Sequence, residues 1–271
     1  MKEQTAFTRT IHILNPALIY CIVYNACYLL LAGMMQVVSG HGEQTQLWIE
    51  QNSAMMTNLV HLCSMLIGAG CLLPIFRREE AARRTAQAEQ PGMAGAKLLW
   101  VKSGILAVTG AVGLNILFSL LHLTEMSVSY EQTAQVQYQL PFLLGLFLYG
   151  LCSPLAEELL FRGLIYNRMK QYFSVRTALL VSSIFFGIYH GNLVQAVYGT
   201  LIGLLIAYLY ERTGRFGTAV FVHGVANAAV FACTYDASVG ETIGTPLNCA
   251  VFLTIFGIVF WNTRKNVADS K

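Results

Sequence analysis

Charge is scarce in this chain. Asp, Glu, Lys and Arg make up only 11% of its 271 residues, against about 25% in an ordinary soluble domain. With 55% hydrophobic residues and a mean hydropathy of +0.55, the composition excludes a water-soluble globule. It indicates a polytopic membrane protein, read as one integral domain over 1–271. A net charge of +3 is too small to imply a nucleic-acid partner. The seven cysteines (Cys21, Cys27, Cys63, Cys71, Cys152, Cys233 and Cys249) contain no Cys-x-x-Cys pair. That excludes a zinc ribbon and a dithiol redox motif and leaves small apolar packing residues. Three protease signatures are missing too. There is no His-Glu-x-x-His and no Gly-x-Ser-x-Gly elbow. Asp236 has no second membrane-embedded aspartate with which to form a dyad, so it reads as a loop residue.

What is abundant is long apolar sequence. A span needs about 20 such residues. Eight candidates follow, at roughly 15–38, 54–76, 98–121, 140–161, 177–195, 197–211, 216–234 and 247–262. The expected fold is all-α with about eight transmembrane helices. The first run is too long for a signal-peptide core and lacks a small-x-small cleavage site, so it reads as a retained span. The sixth is the short one and should form a tight hairpin with the fifth around Gly191-Asn192. Segment 77–84 reads as a surface helix or a solvated charged helix end, Pro91-Gly92 as a turn, and 164–176 as an interfacial amphipathic piece.

All 17 Lys and Arg fall in alternate connections, and segments 39–53, 122–139, 191–196 and 235–246 hold none. Basic residues collect on the cytoplasmic side. Both termini are therefore expected there, in a multi-pass protein of the cell (plasma) membrane.

Against this background, Glu157-Glu158 is anomalous. One charge near the bilayer centre costs about 2.5–3.5 kcal/mol even on lenient scales, so such residues face a cavity or a partner. Adjacent helical residues point about 100° apart, so the two cannot share a role. Glu158 and Arg162 have the spacing and order of an ion pair, which leaves Glu157 for the cavity. Pro154, one turn earlier, would loosen the helix and free backbone groups beside it. His190 and Phe186 share a face of the fifth span, and His223 and Asn227 a face of the seventh. At about 1.5 Å per residue, Glu157 is expected one turn inside the boundary near Arg162. His223 should lie about 10 Å from Arg215, and His190 about 20 Å from Arg176. His61 and His122 lack such partners. Asn115 reads as packing, Asn192 as a cap or turn, and Gly199 and Gly203 as close helix packing.

A carboxylate, two imidazoles and an amide suit hydrolysis in either of two ways. Glu157 can act as general base with His190 orienting the water, while His223 and Asn227 donate to the oxyanion. Alternatively Glu157, His190 and His223 hold zinc with one position open for water, and Glu158 becomes a candidate base. The cofactor is thus zinc or none.

The motifs Glu157-Glu158-x-x-x-Arg162, Phe186-x-x-x-His190 and His223-x-x-x-Asn227 resemble those of the CPBP (CAAX protease and bacteriocin-processing) family, also termed Abi or type II CAAX prenyl endopeptidase. They span about 150–230, inside an expected core of about 140–235. The resemblance implies an intramembrane endopeptidase, of glutamate or metalloprotease type, acting near the cytoplasmic face. Its substrate would be a peptide or membrane-anchored protein, in peptide maturation, CAAX-type processing or self-immunity. It also implies that Glu157 and His190 activate water, that His223 and Asn227 form the oxyanion hole, and that Glu158 and Arg162 support them. The other functions compatible with such residues are a transporter and a non-catalytic scaffold or immunity protein.

Overall fold

The computed structural model describes residues 5–87 and 96–265. The turn expected at Pro91-Gly92 and the end of the basic tail lie outside them. The described residues form α1 (Ala6–Ser39), α2 (Glu43–Gln51), α3 (Ser53–Gln87), α4 (Ala96–Leu120) and α5 (Val128–Tyr138), with no strand among them. Then come α6 (Phe142–Met169), α7 (Val175–Tyr189), α8 (Leu193–Thr213), α9 (Phe216–Thr234), α10 (Ala237–Ile243) and α11 (Pro246–Lys265). Seven of the helices, α1, α3, α4, α6, α8, α9 and α11, are long and apolar enough to cross a membrane. The chain is an all-helical, multi-pass membrane protein.

The eighth expected span is α7, and here the expectation is corrected. The short member of the hairpin is the fifth segment, with 15 residues, and the sixth has 21. Ser174 caps α7 by accepting from the Thr177 amide. Gly191 then turns the chain at φ +78°. Asn192 caps α8 by accepting from the Gln195 amide at 2.8 Å. At about 1.5 Å per residue, α7 is about 22 Å long and falls short of a hydrocarbon core of about 30 Å. Its C-terminal end, where His190 sits, therefore lies within the depth of the bundle.

Close packing holds α7 against α8. A β-carbon on Gly187 would lie 2.2 Å from the Ala196 carbonyl and 2.3 Å from Thr200 Oγ1. Gly199 faces Gly187, and Gly203 faces Phe186 and Ser183, all on α7. Gly187→Ala should force the hairpin apart and destabilise the protein by about 1–3 kcal/mol. A lowered melting temperature in detergent would record it. Gly33→Ala on α1, where nothing lies within 4 Å, should leave that temperature unchanged.

Elsewhere α1 packs on α3, α11 on α4, and α9 against α4, α6 and α8. The shared core includes the fully buried Leu72, Leu106, Leu164, Ile206 and Val222. Of the seven cysteines only Cys152 and Cys249 are buried, so packing inside the core describes just these two.

Two polar segments join longer helices. Residues 77–84 are not a separate surface helix but the last turns of α3. Glu80, buried there, pairs with Arg83 and Arg84. Of the segment expected to be interfacial, 164–176, residues 164–169 continue α6 into the core, where Leu164, Ile165, Tyr166 and Met169 are buried. Arg168 remains buried because its guanidinium is satisfied. It bonds Glu79 of α3 at 2.7 Å, the His12 carbonyl of α1 at 2.6 Å and Asn15 Oδ1.

Candidate active site

α6 is not a regular helix around its two glutamates. Wider π-helical turns at Leu148–Cys152 and Leu159–Tyr166 flank them. π-bulges insert an extra residue into the helix and are frequent at functional sites. Pro154 has no N–H to offer the Gly150 carbonyl one turn back. Gly224 of α9 approaches the Gly150 carbonyl so closely that a β-carbon would sit 2.4 Å from it. One turn along α9, Asn227 Nδ2 donates to the Tyr149 carbonyl at 3.1 Å. The disturbed helix thus lets α9 approach, and it sets the positions of His223 and Asn227. Gly224→Ala should displace both. A shift near 1 Å at a reacting centre costs about 10²-fold in rate, and peptide cleavage by the purified variant should fall by that order.

Glu158 and Arg162 form an ion pair at 3.0 Å, with both side chains 0% exposed. Arg162 also donates to the Gly203 carbonyl at 2.8 Å and lies over the Phe186 ring. His223 Nδ1 donates to Glu158 Oε1 at 2.8 Å. The donor must be the nitrogen because an ionised carboxylate only accepts. Glu158 is thereby linked to α9 as well as to Arg162, a connection that spacing within one helix does not reveal.

Glu157 points the other way. It is 7% exposed and accepts from Ser153 Oγ through Oε1. Its Oε2 has no hydrogen-bond partner among the described residues. That oxygen lies 3.8 Å from His223 Nε2, too far for a direct bond, although one water at about 2.8 Å from each would fit. His190 Nδ1 donates to the Phe186 carbonyl at 2.9 Å, which fixes its ring and leaves Nε2 free.

Glu157, His190, His223 and Asn227 all line one cavity of about 310 Å³, within the size range of small-ligand sites. Glu158 and Arg162 do not line it and sit behind it. His61 lies elsewhere, bonded to the Tyr24 hydroxyl at 2.5 Å, and the exposed His122 pairs with Glu125 at 2.9 Å. Asp236 is the N-cap of α10, and hydrogen bonds from Ser238 and Val239 hold its carboxyl below the usual range. Asn115, expected only to pack, lines the cavity. Ser153 and Tyr149 also line it, and Tyr149 donates to Asn58 on α3. The i, i+4 relation of Ser153 to Glu157 was a readable signal. The pairing with Asn58, 91 residues away, had none.

Arg162 is a buried ion-pair partner, and α6 runs on to Met169. Thirteen residues separate Glu157 from Lys170, about 20 Å along a helix. Glu157 and His190 thus lie at similar distances along their helices from the basic residues Lys170 and Arg176. From there the lining runs to Asn115, Thr124, Tyr130, Thr133 and Tyr138. These belong to the end of the bundle whose connections carry no Lys or Arg.

The donor types of Glu157, His190 and His223 suit zinc, but their spacing does not fit it. Among the described residues, no three His, Cys, Asp or Glu side chains stand close enough to hold one ion.

Comparison with known proteins agrees with the motifs. Residues 139–229, which hold all three, match the family described as type II CAAX prenyl endopeptidase Rce1-like. The chain is 25% identical over 179 residues, 64% of its own length and 72% of the relative's, to "Putative membrane peptidase YdiL" of Bacillus subtilis (strain 168). It is 31% identical over 90 residues, 33% of this chain and 49% of the other, to "UPF0177 protein YxdF" of Lactococcus lactis subsp. lactis (strain IL1403). No solved structure matches significantly. The motif-bearing region thus resembles that of membrane peptidases of this family.

Proposed function

We propose that the protein is an intramembrane endopeptidase that hydrolyses a peptide bond with water activated at Glu157. The observation that carries this reading is the unpartnered Oε2 of a buried glutamate, facing two histidines across a cavity. Glu157 Oε2 takes a proton from water as its oxygen attacks the carbonyl carbon. The carbonyl π pair moves onto oxygen. When the C–N bond breaks, Glu157 returns the proton to the leaving amine. His190 Nε2 orients the water. Asn227 keeps one amide proton for the oxyanion after bonding the Tyr149 carbonyl. His223 donates a second from Nε2 when it carries both ring protons. Glu158 and Arg162 position His223, and Ser153 positions Glu157.

The catalytic unit is the core of about 140–235 within one integral domain of the cell membrane. Its substrate is a peptide or membrane-anchored protein. Donor spacing favours the metal-free route over the metalloprotease route. The test is incubation of the purified, reconstituted protein with a peptide library, with products read by mass spectrometry. Cleavage should persist in the presence of a chelator and fall about 10²–10³-fold in Asn227→Ala, the loss expected for one oxyanion donor. Undiminished cleavage by Asn227→Ala would remove that residue from the mechanism, and chelator-abolished activity would restore the metal route.

A further inference from the structure

We infer that the cavity is loaded from the extracytoplasmic side, by an extended peptide segment carrying no acidic side chains around the cut bond. This rests on the hydrolytic reading of the site for the substrate, but not for the side of access.

The side of access follows from two independent observations. The first is where the cavity goes. Its lining climbs from Glu157 past Tyr149 and Asn227 to Tyr130, Thr133 and Gln137 on α5. Below Glu157 the bundle is filled: Arg162, Leu164, Ile165, Tyr166 and Ile206 are all buried to within 2%. The second is charge. α5 and the segments beside it, 121–127 and 139–141, contain no Lys or Arg. Neither do the connections at the same end, 40–52, 190–192 and 235–245. The opposite end carries Arg77, Arg78, Lys170, Arg176, Arg215 and Arg264. The bias of basic residues toward the cytoplasm therefore puts the mouth outside.

The substrate class follows from the wall. Among the described residues, and apart from the histidines, Glu157 is the sole charged residue on it. An Asp or Glu brought beside that wall would lose hydration and meet the Glu157 carboxylate with no Lys or Arg to pair with, at a cost that selects against it. The reach is also set. Fifteen residues of α6 separate Phe142 at the mouth end from Glu157, about 22 Å. A strand rising about 3.3 Å per residue covers that with about seven residues. A helical substrate would need about twice as many and more width, so the segment must enter unwound.

The experiment uses the full-length chain, with its seven cysteines replaced by Ala, in intact cells. Thr133→Cys is placed at the mouth and Phe173→Cys, half exposed after α6, at the opposite end. A membrane-impermeant maleimide should label Thr133→Cys in intact cells and Phe173→Cys only after lysis. Labelling of Thr133→Cys only after lysis would overturn the side of access. Should the cysteine-free protein fail to fold, alkaline phosphatase fused after Lys271 of the natural chain gives a second reading. Inactive phosphatase is expected, and active phosphatase overturns the orientation. Neither readout depends on proteolysis, so both stand even if Glu157→Gln proves fully active. For the substrate class, placing Asp or Glu next to the scissile bond of a cleaved peptide should slow its cutting at least tenfold. Equal cutting would overturn that half.

Discussion

Glu157→Gln is expected to lower peptide cleavage by about 10²–10⁴-fold, the range contributed by a positioned general base. Gln has the shape of Glu, and its amide oxygen can still accept from Ser153. What it cannot do is take a proton from water at the position where Oε2 faces the cavity. Little else should change. Glu157 is outside the Glu158–Arg162 pair, and its nearest charged partner, His223, is 3.8 Å away and anchored by Glu158 instead. Detergent melting temperature and expression should therefore match those of the wild type. A variant equally stable and equally active would remove Glu157 from the chemistry.

The second large effect falls on stability. Arg162→Leu leaves Glu158 as a fully buried carboxylate whose remaining partner is His223. Removing one member of a buried pair costs about 3–5 kcal/mol, because the other charge stays uncompensated. Arg162 also joins α6 to α8 through the Gly203 carbonyl, so the loss should appear as lower folded yield and a lower melting temperature. Arg162→Lys keeps the charge but offers a point donor in place of a planar fork, and should recover only part of the loss. The double variant Glu158→Leu with Arg162→Leu should be less destabilised than the sum of the two single variants, since no lone charge remains. Strict additivity would mean that the pair acts as two independent residues.

The helices were legible because the bilayer enforces them. A segment crossing lipid must satisfy its own backbone, so long apolar runs report spans directly. The Glu158–Arg162 contact was legible for the same local reason, four residues on one helix. Lengths inside the hairpin were not, because the apolar sequence runs through Gly191-Asn192 and only the caps show where α7 stops. Depth was not legible at Arg162. Charge usually marks a membrane boundary, and nothing local distinguishes an interfacial arginine from one buried against a glutamate. The bond from His223 to Glu158, 65 residues apart, depends on packing between helices, which no spacing within one helix encodes. The direction in which the cavity opens has the same origin. It depends on α5 lying beside α6, α3 and the loops of one end, while the basic residues of the other end were visible from the start.

The most direct test of the account is cleavage in ¹⁸O-labelled water by purified protein in lipid with a chelator present. The products of one cleaved peptide would be weighed for the wild type and for Glu157→Gln. The account predicts one ¹⁸O atom in the new C-terminal carboxylate from the wild type, and product reduced by at least about 10²-fold from the variant. Labelled product formed at the same rate by both proteins would contradict it.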